Sequence, residues 1–235
     1  MRIAALVAVS LLAGGLVGGC SHAGGGQSAQ SPTSQPAGTS ATTSPPPTGT
    51  SAGKPPAPSA APGAGAPISD VITWIEAGHP ANPGLYHAAT RDGGTTQLGS
   101  DFALTASAGK VSCMTDAKHT AGALACLVQL TSPPPRPDTA YGGWQGGWVD
   151  YDGTNLQVGS SRADPGPFVY GNGPDLANGD SLSFGDYRCR ADQAGLFCVN
   201  YAHQSAVRFA GAGVQPFGCL RSVPPPDGVG IAFSC

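Results

Sequence analysis

GDYRCRADQAGLFCVNY, residues 185–201, decides the fold. Side chains alternate across a strand, so Tyr187 and Cys189 share one face, and Phe197, Val199 and Tyr201 share a face of the next strand. The stretch reads as a hairpin with one cysteine on each arm. Cross-strand neighbours lie about 4.5–5.5 Å apart, within disulfide reach, which predicts a Cys189–Cys198 bond. The layout has an earlier echo, with Gly109-Lys-Val-Ser-Cys113 followed by Gly122-Ala-Leu-Ala-Cys126-Leu-Val. That second hairpin predicts Cys113–Cys126. The remaining pair, Cys219 and Cys235, would pin the C-terminus. Each bond is worth about 2–4 kcal/mol. No CxxC occurs, and no cysteine sits near a histidine at zinc-ligand spacing, so the sequence predicts structural bonds and neither a metal site nor a redox centre.

Working outward, short alternating runs continue. Phe102 and Leu104 alternate, then Val111 and Cys113, then Leu124, Cys126, Val128 and Leu130, and later Val207 and Phe209. Asp92-Gly93, Ala108-Gly109-Lys110 and Asp152-Gly153 are turn signals between them. The apolar phase slips between Phe184 and Tyr187 with Gly185 at the slip, which predicts a bulge. One helical signal precedes the strands. Ser69 is placed to cap, Asp70 sits in the first turn, and Val71, Ile72 and Ile75 recur at helical spacing until Gly78 and Pro80. The predicted class is mainly β: a small antiparallel sandwich or barrel with one short N-terminal helix, stapled by disulfides and preceded by a disordered tether.

The tether follows from composition. Residues 21–67 contain no Val, Ile, Leu, Met, Phe, Trp or Tyr, and consist mostly of Gly, Ser, Thr, Ala, Pro and Gln. Such a segment has too little apolar surface to offset its chain entropy. Its coil dimension is roughly 40 Å. Ahead of it, Arg2 precedes an apolar run from Ile3 to Val17 that is shorter than the ~20 residues of a membrane-spanning helix. The run meets Leu16-Val-Gly-Gly-Cys20, which resembles a bacterial lipobox. The expected organisation is a signal peptide over 1–19, a lipidated Cys20 and tether over 20–67, and a disulfide-bonded β domain over 68–235. Setting Cys20 aside for lipidation leaves the six domain cysteines an even set. Two or more acyl chains anchor stably, so the sequence predicts a membrane partner through the lipid, with the domain on the outer face of the cell membrane.

The domain carries every Trp and Tyr of the chain and is mildly acidic. Without a cluster of Lys and Arg it lacks the basic face that nucleic-acid binding requires. Phe102-Ala-Leu-Thr, Gly109-Lys-Val-Ser-Cys113, Leu124-Ala-Cys126, Gly185-Asp-Tyr-Arg-Cys189 and Gly195-Leu-Phe-Cys198-Val-Asn200 together resemble a family of exported actinobacterial proteins, the LppI-like mycobacterial lipoproteins. The resemblance runs from Ile68 to Cys235 and is most specific in the cysteine spacing. It implies an envelope location and paired hairpin disulfides, and it carries over no activity, ligand or catalytic residue.

Several stretches invite a site. In Tyr141-Gly-Gly-Trp144-Gln-Gly-Gly-Trp148 an extended chain would set Trp144 and Trp148 on one side, with glycines leaving the indole faces open as a platform for sugar rings. Asp150-Tyr-Asp152-Gly-Thr154-Asn155 alternates oxygen ligands as calcium loops do, but lacks the terminal bidentate Glu and reads as an Asp-Gly turn. His79, His87, His119 and His203 fall in separate segments without a metal-binding pattern. Gly179-Asp-Ser181-Leu spells the nucleophile block of GDSL hydrolases, yet Asp116-Ala-Lys-His119 precedes it, the reverse of that family's order. Ser107-Ala-Gly-Lys110 fits SxxK without its companion motifs. No cofactor or metal is implied. The expected function is a binding or accessory module for wall glycan, lipid or an envelope protein, with an envelope hydrolase using Asp and His residues as the alternative. A cleft gathering His203 or His119 with an Asp would favour the hydrolase.

Overall fold

The computed structural model describes residues 60–235. The expected signal peptide, the lipidated Cys20 and the tether as far as residue 59 lie outside the described residues. Ala61 and Ala66, at the foot of the tether, pack against the domain.

Helix α1 (Ile68–Glu76) comes first. The carbonyl of Pro67 accepts from the backbone N–H groups of Asp70 and Val71, so Pro67, and not Ser69, is the cap residue. Ser69 falls inside the first turn, where its carbonyl accepts from the Thr73 hydroxyl. Asp70 stands in the first turn, where the helix dipole favours a negative charge. Gly78 follows because a Cβ there would lie 2.9 Å from Ser181 Cβ.

Strands β1 (His79–Pro80), β2 (Ala88–Arg91), β3 (Gly94–Gln97), β4 (Ala103–Ala106) and β5 (Val111–Thr115) lead to a single helical turn, α2 (Ala117–Thr120). Then come β6 (Leu124–Val128), β7 (Gly143–Tyr151), β8 (Asn155–Arg162), β9 (Asp180–Phe184) and β10 (Tyr187–Asp192). The chain closes with β11 (Gly195–Asn200), β12 (Ser205–Ala210), β13 (Gly213–Gly218), β14 (Arg221–Val223) and β15 (Val229–Ser234). They form a six-stranded sheet in the order β1-β9-β10-β11-β12-β13, a seven-stranded sheet in the order β14-β15-β8-β7-β6-β5-β4, and a separate β2–β3 hairpin. All pairings are antiparallel except β1 with β9. Neither sheet closes on itself, so of the two expected architectures the sandwich is the one formed.

One core cluster joins the inner faces, with Leu104, Cys113, Cys126, Val149 and Leu156 from one sheet meeting Leu182, Cys189, Cys198, Val207 and Phe209 from the other. Cys113 stands opposite Cys126 with Cα atoms 4.1 Å apart, and Cys189 opposite Cys198 at 4.0 Å. Both bonds are formed, each within its own sheet, and all four residues are fully buried. Cys219–Cys235 is also formed and differs in kind: it ties the end of β13 in one sheet to the end of β15 in the other.

Several strands are buried on both faces, β4, β5 and β11 throughout, where alternation alone predicts one wet face. Outer layers explain this. Val71, Trp74 and Ile75 of α1 cover Phe197, Val199, Ala206 and Phe217 on the six-stranded sheet. Phe168 and Ala89 cover Ala103, Met114, Ala125 and Trp148 on the seven-stranded sheet.

Gly185 does not mark a bulge. Phe184 pairs directly with Tyr187, so Gly185-Asp186 is a two-residue turn, with Gly185 (φ 49°) at the first central position that a type II′ turn reserves for glycine. The phase slip is the chain reversing. The irregularity lies in β7, where the register against β8 shifts between Gln145 and Val149. Gly147 is required there, because a Cβ would come within 2.2 Å of the Val128 carbonyl oxygen.

Candidate functional site

The sandwich has a cleft of about 660 Å³ at one end, where five connections converge. They are the residues leading into β4, the α2 region between β5 and β6, the β7–β8 turn, the β9–β10 turn and the β11–β12 turn. Sandwich loops cluster at the ends because every antiparallel strand must reverse there, so a site can be assembled from residues far apart in sequence.

Phe102, Phe184 and Tyr187 line it as the middle of an aromatic column that continues beyond the cleft to His87 and Tyr151. The rings of His87 and Phe102 lie 4.0 Å apart, those of Phe102 and Phe184 5.1 Å, those of Phe184 and Tyr187 5.7 Å, and those of Tyr187 and Tyr151 5.7 Å. The rings spend their surfaces on one another. The Tyr187 hydroxyl donates to the Tyr151 carbonyl at 3.0 Å, and burial pushes its pKa up to about 12. The Tyr151 hydroxyl meets Ser205 Oγ at 2.7 Å and is pushed higher still, again by burial. Both remain neutral at physiological pH.

The polar rim is made of carboxylates, hydroxyls, an amide and one imidazole, with neither Lys nor Arg. Asp101 Oδ1 accepts from Thr115 Oγ1 at 2.9 Å and from the Ala117 N–H at 2.8 Å. Asp152 Oδ1 accepts from the N–H of Thr154 at 2.7 Å, its hydroxyl at 2.9 Å and the N–H of Asn155 at 2.6 Å, while Oδ2 accepts from Asn155 Nδ2 at 3.0 Å. Burial raises the Asp152 pKa, but the donors from Asn155 and Thr154 outweigh it and hold the carboxyl below the usual range. Asp186, exposed on its turn, has no hydrogen bond to its carboxylate among the described residues. His203 packs over the β7–β8 turn, its Cδ2 2.7 Å from where a Cβ on Gly153 would stand. The cleft therefore gathers His203 with Asp152 and Asp186. Asp152 itself is occupied in shaping the turn.

The tryptophans do not form an open pair. Trp148 is only 3% exposed, set edge-on against Phe168 at 5.1 Å under the Arg162 guanidinium, and its indole N–H donates to Asp150 Oδ1 at 2.8 Å. Trp144 is half-buried beside Pro134 and Gly159. The bulge at Gly146-Gly147 breaks the even register on which the shared platform depended.

The oxygens of Asp150–Asn155 serve the fold. Asp150 Oδ2 is ion-paired with Arg162, and Asp152 holds an Asx turn. Among the described residues no group of three or more His, Cys, Asp or Glu is arranged for a metal ion. His119 Nδ1 meets Asp116 Oδ2 at 2.7 Å on the exposed α2 turn, where Asp116 also caps α2. His79 lies 3.8 Å from Asp180 on β1. Ser181 is 2% exposed and donates to the Gly78 carbonyl, a buried structural serine on the sheet opposite to His119. Ser107 begins a tight β4–β5 turn with Ala108 and Gly109, all at positive φ.

Sequence reading identified the turns at Asp152-Gly153 and the apolar break at Gly185, but not their convergence. No family model, curated protein or solved structure matches the chain.

Proposed function

We propose that the chain is a lipid-anchored lipoprotein of the cell envelope, attached to the outer face of the membrane through Cys20, and that its β-sandwich is a binding module for wall glycan. The observation that carries the binding reading is the cleft at the loop end. Its volume of about 660 Å³ suits a small ligand or a short stretch of a polymer. Its rim is rich in acceptors and free of Lys and Arg, which favours a partner bearing many hydroxyl donors over an anionic one. An acyl chain would leave the carboxylate rim desolvated without partners. Two of the three carboxylates already accept hydrogen bonds that hold the loops in place, which suits a preorganised binding surface better than proton transfer.

A second reading, an envelope hydrolase, is favoured by the presence of His203 in the same cleft as Asp152 and Asp186. One experiment separates the two. The full chain is incubated with purified wall polysaccharide, and both retention and new reducing ends are followed over time. Binding predicts retention that weakens several-fold in Asp186→Asn, with a flat reducing-end signal. Hydrolysis predicts a rising signal that His203→Ala abolishes. No retention and no release would end the glycan reading.

A further inference from the structure

The third disulfide stands apart from the other two in three respects. It joins the two sheets, whereas each hairpin bond lies within one. Cys235 is exposed and Cys219 half-buried, whereas Cys113, Cys126, Cys189 and Cys198 are fully buried. It also touches both turns that build one wall of the cleft. Cys219 Sγ lies 3.5 Å from the His203 carbonyl oxygen, Cys235 Sγ lies 3.9 Å from the Gly153 carbonyl oxygen, and the Cys235 N–H donates to the Thr154 carbonyl at 2.9 Å.

We propose that Cys219–Cys235 is a redox clasp that sets the shape of the cleft, and that its reduction by a dithiol releases the β7–β8 and β11–β12 turns and weakens ligand binding; the effect on binding rests on the reading of the cleft as the ligand site. The chemistry is thiol–disulfide exchange. A thiolate of the dithiol attacks one sulfur of the bond, forming a mixed disulfide and releasing the other cysteine as a thiolate, which takes a proton. The second thiol of the donor then attacks the mixed disulfide, leaving as a cyclic disulfide and freeing the second cysteine, which takes the other proton. Two electrons pass from the dithiol to the protein bond.

The sandwich survives this step. Its shared core holds both buried disulfides, and Ser205 Oγ still donates to the Gly153 carbonyl while meeting the Tyr151 hydroxyl. What is lost is the one disulfide between the sheets among the described residues, while the backbone crossings, β13 to β14 beside Cys219 included, remain. The two turns are short, and Asp152, Asn155 and the Ala202–Gln204 stretch are exposed, so local opening there costs far less than global unfolding.

The test uses the folded full chain and dithiothreitol without denaturant. Timed alkylation with peptide mapping reads each cysteine, and hydrogen exchange reads the turns. Cys219 and Cys235 should become alkylated at least about 10-fold faster than the four core cysteines, whose sulfurs need global opening. Exchange should then accelerate in residues 152–155 and 200–205 while the central strands stay protected. The double variant Cys219→Ser with Cys235→Ser should show the same exchange pattern without reductant. Equal alkylation rates for all six cysteines, or unchanged exchange in both turns once Cys219–Cys235 is open, would overturn the clasp. Wall glycan retained by the oxidised chain and released several-fold faster by the reduced one would extend the clasp to regulation. Absence of glycan binding in both forms would remove the binding reading and the regulatory claim built on it, while the exchange result would still decide the clasp itself.

Discussion

Replacing Trp74 by alanine tests how the outer layer is held. Trp74 is fully buried between α1 and the six-stranded sheet, its ring centroid 4.8 Å from that of Phe197 and the Arg190 guanidinium 4.0 Å above it. A buried aromatic side chain removes about 200 Å² from water, worth about 5 kcal/mol at 25 cal/mol/Å² as an upper figure. Measured aromatic-to-alanine losses in cores run about 3–5 kcal/mol. Relaxation is limited here, because Val71 and Ile75 pack on the same sheet and the Trp74 carbonyl accepts from Arg190, which hold α1 in place. The expected cost of Trp74→Ala is therefore about 4 kcal/mol, a large share of a domain stability of about 5–15 kcal/mol. With disulfides intact, the midpoint of thermal unfolding should fall by roughly 8–16 °C for a domain of this size. Far-UV circular dichroism is the assay, since the substitution removes a fluorophore. Trp74→Phe should cost less, about 1–2 kcal/mol, because no acceptor among the described residues faces the indole N–H and only size is lost. A loss below about 1 kcal/mol for Trp74→Ala would show that α1 is not held by this contact, and the double-sided burial of β11 would need another explanation.

Further outcomes follow from the cleft. Tyr187, with its pKa raised to about 12 by burial, stabilises the fold fully below the unfolded value near 10, and that contribution is lost as the pH rises toward 12. Absorbance at 295 nm should show phenolate from Tyr187 appearing only with alkaline unfolding, and Tyr187→Phe should shrink that late step by one tyrosine's amplitude, with Tyr151, also raised by burial, supplying the rest. Asp152 has a lowered pKa, so its contribution is present above the unfolded value and is lost as the pH falls through the folded one. Asp152→Ala should cost about 1–3 kcal/mol at neutral pH, measured by urea unfolding, with the difference from the native chain shrinking under acid conditions; an equal gap at every pH would mean the carboxylate charge is not what holds the turn. The faster alkylation of Cys219 and Cys235 completes the set.

Local chemistry was legible in the sequence. Gly-bounded apolar alternation around Cys113, Cys126, Cys189 and Cys198 specified two hairpins and their bonds, because side-chain direction and cross-strand distance are properties of a few neighbouring residues. The helix was legible from Val71 and Ile75, although its cap was not, since Ser69 and Pro67 both suit a helix start and only the path of the chain chooses. Trp144 and Trp148 show where such reasoning stops. Their spacing promised a shared face, but the register of β7 against β8 shifts between them, and Gly147 is needed only because Val128 on another strand comes so close.

Sequence by itself determined the class of fold, the pairing of the cysteines and the places where the chain reverses, all matters of short-range geometry. Only the tertiary structure decided that two sheets stack without closing, that outer layers bury strands on both faces, and that Asp101, Asp152, Asp186 and His203 meet at one cleft. Those outcomes depend on contacts between segments tens of residues apart. Such contacts form where packing of the whole domain removes the most apolar surface from water, and no single stretch of the chain carries that information.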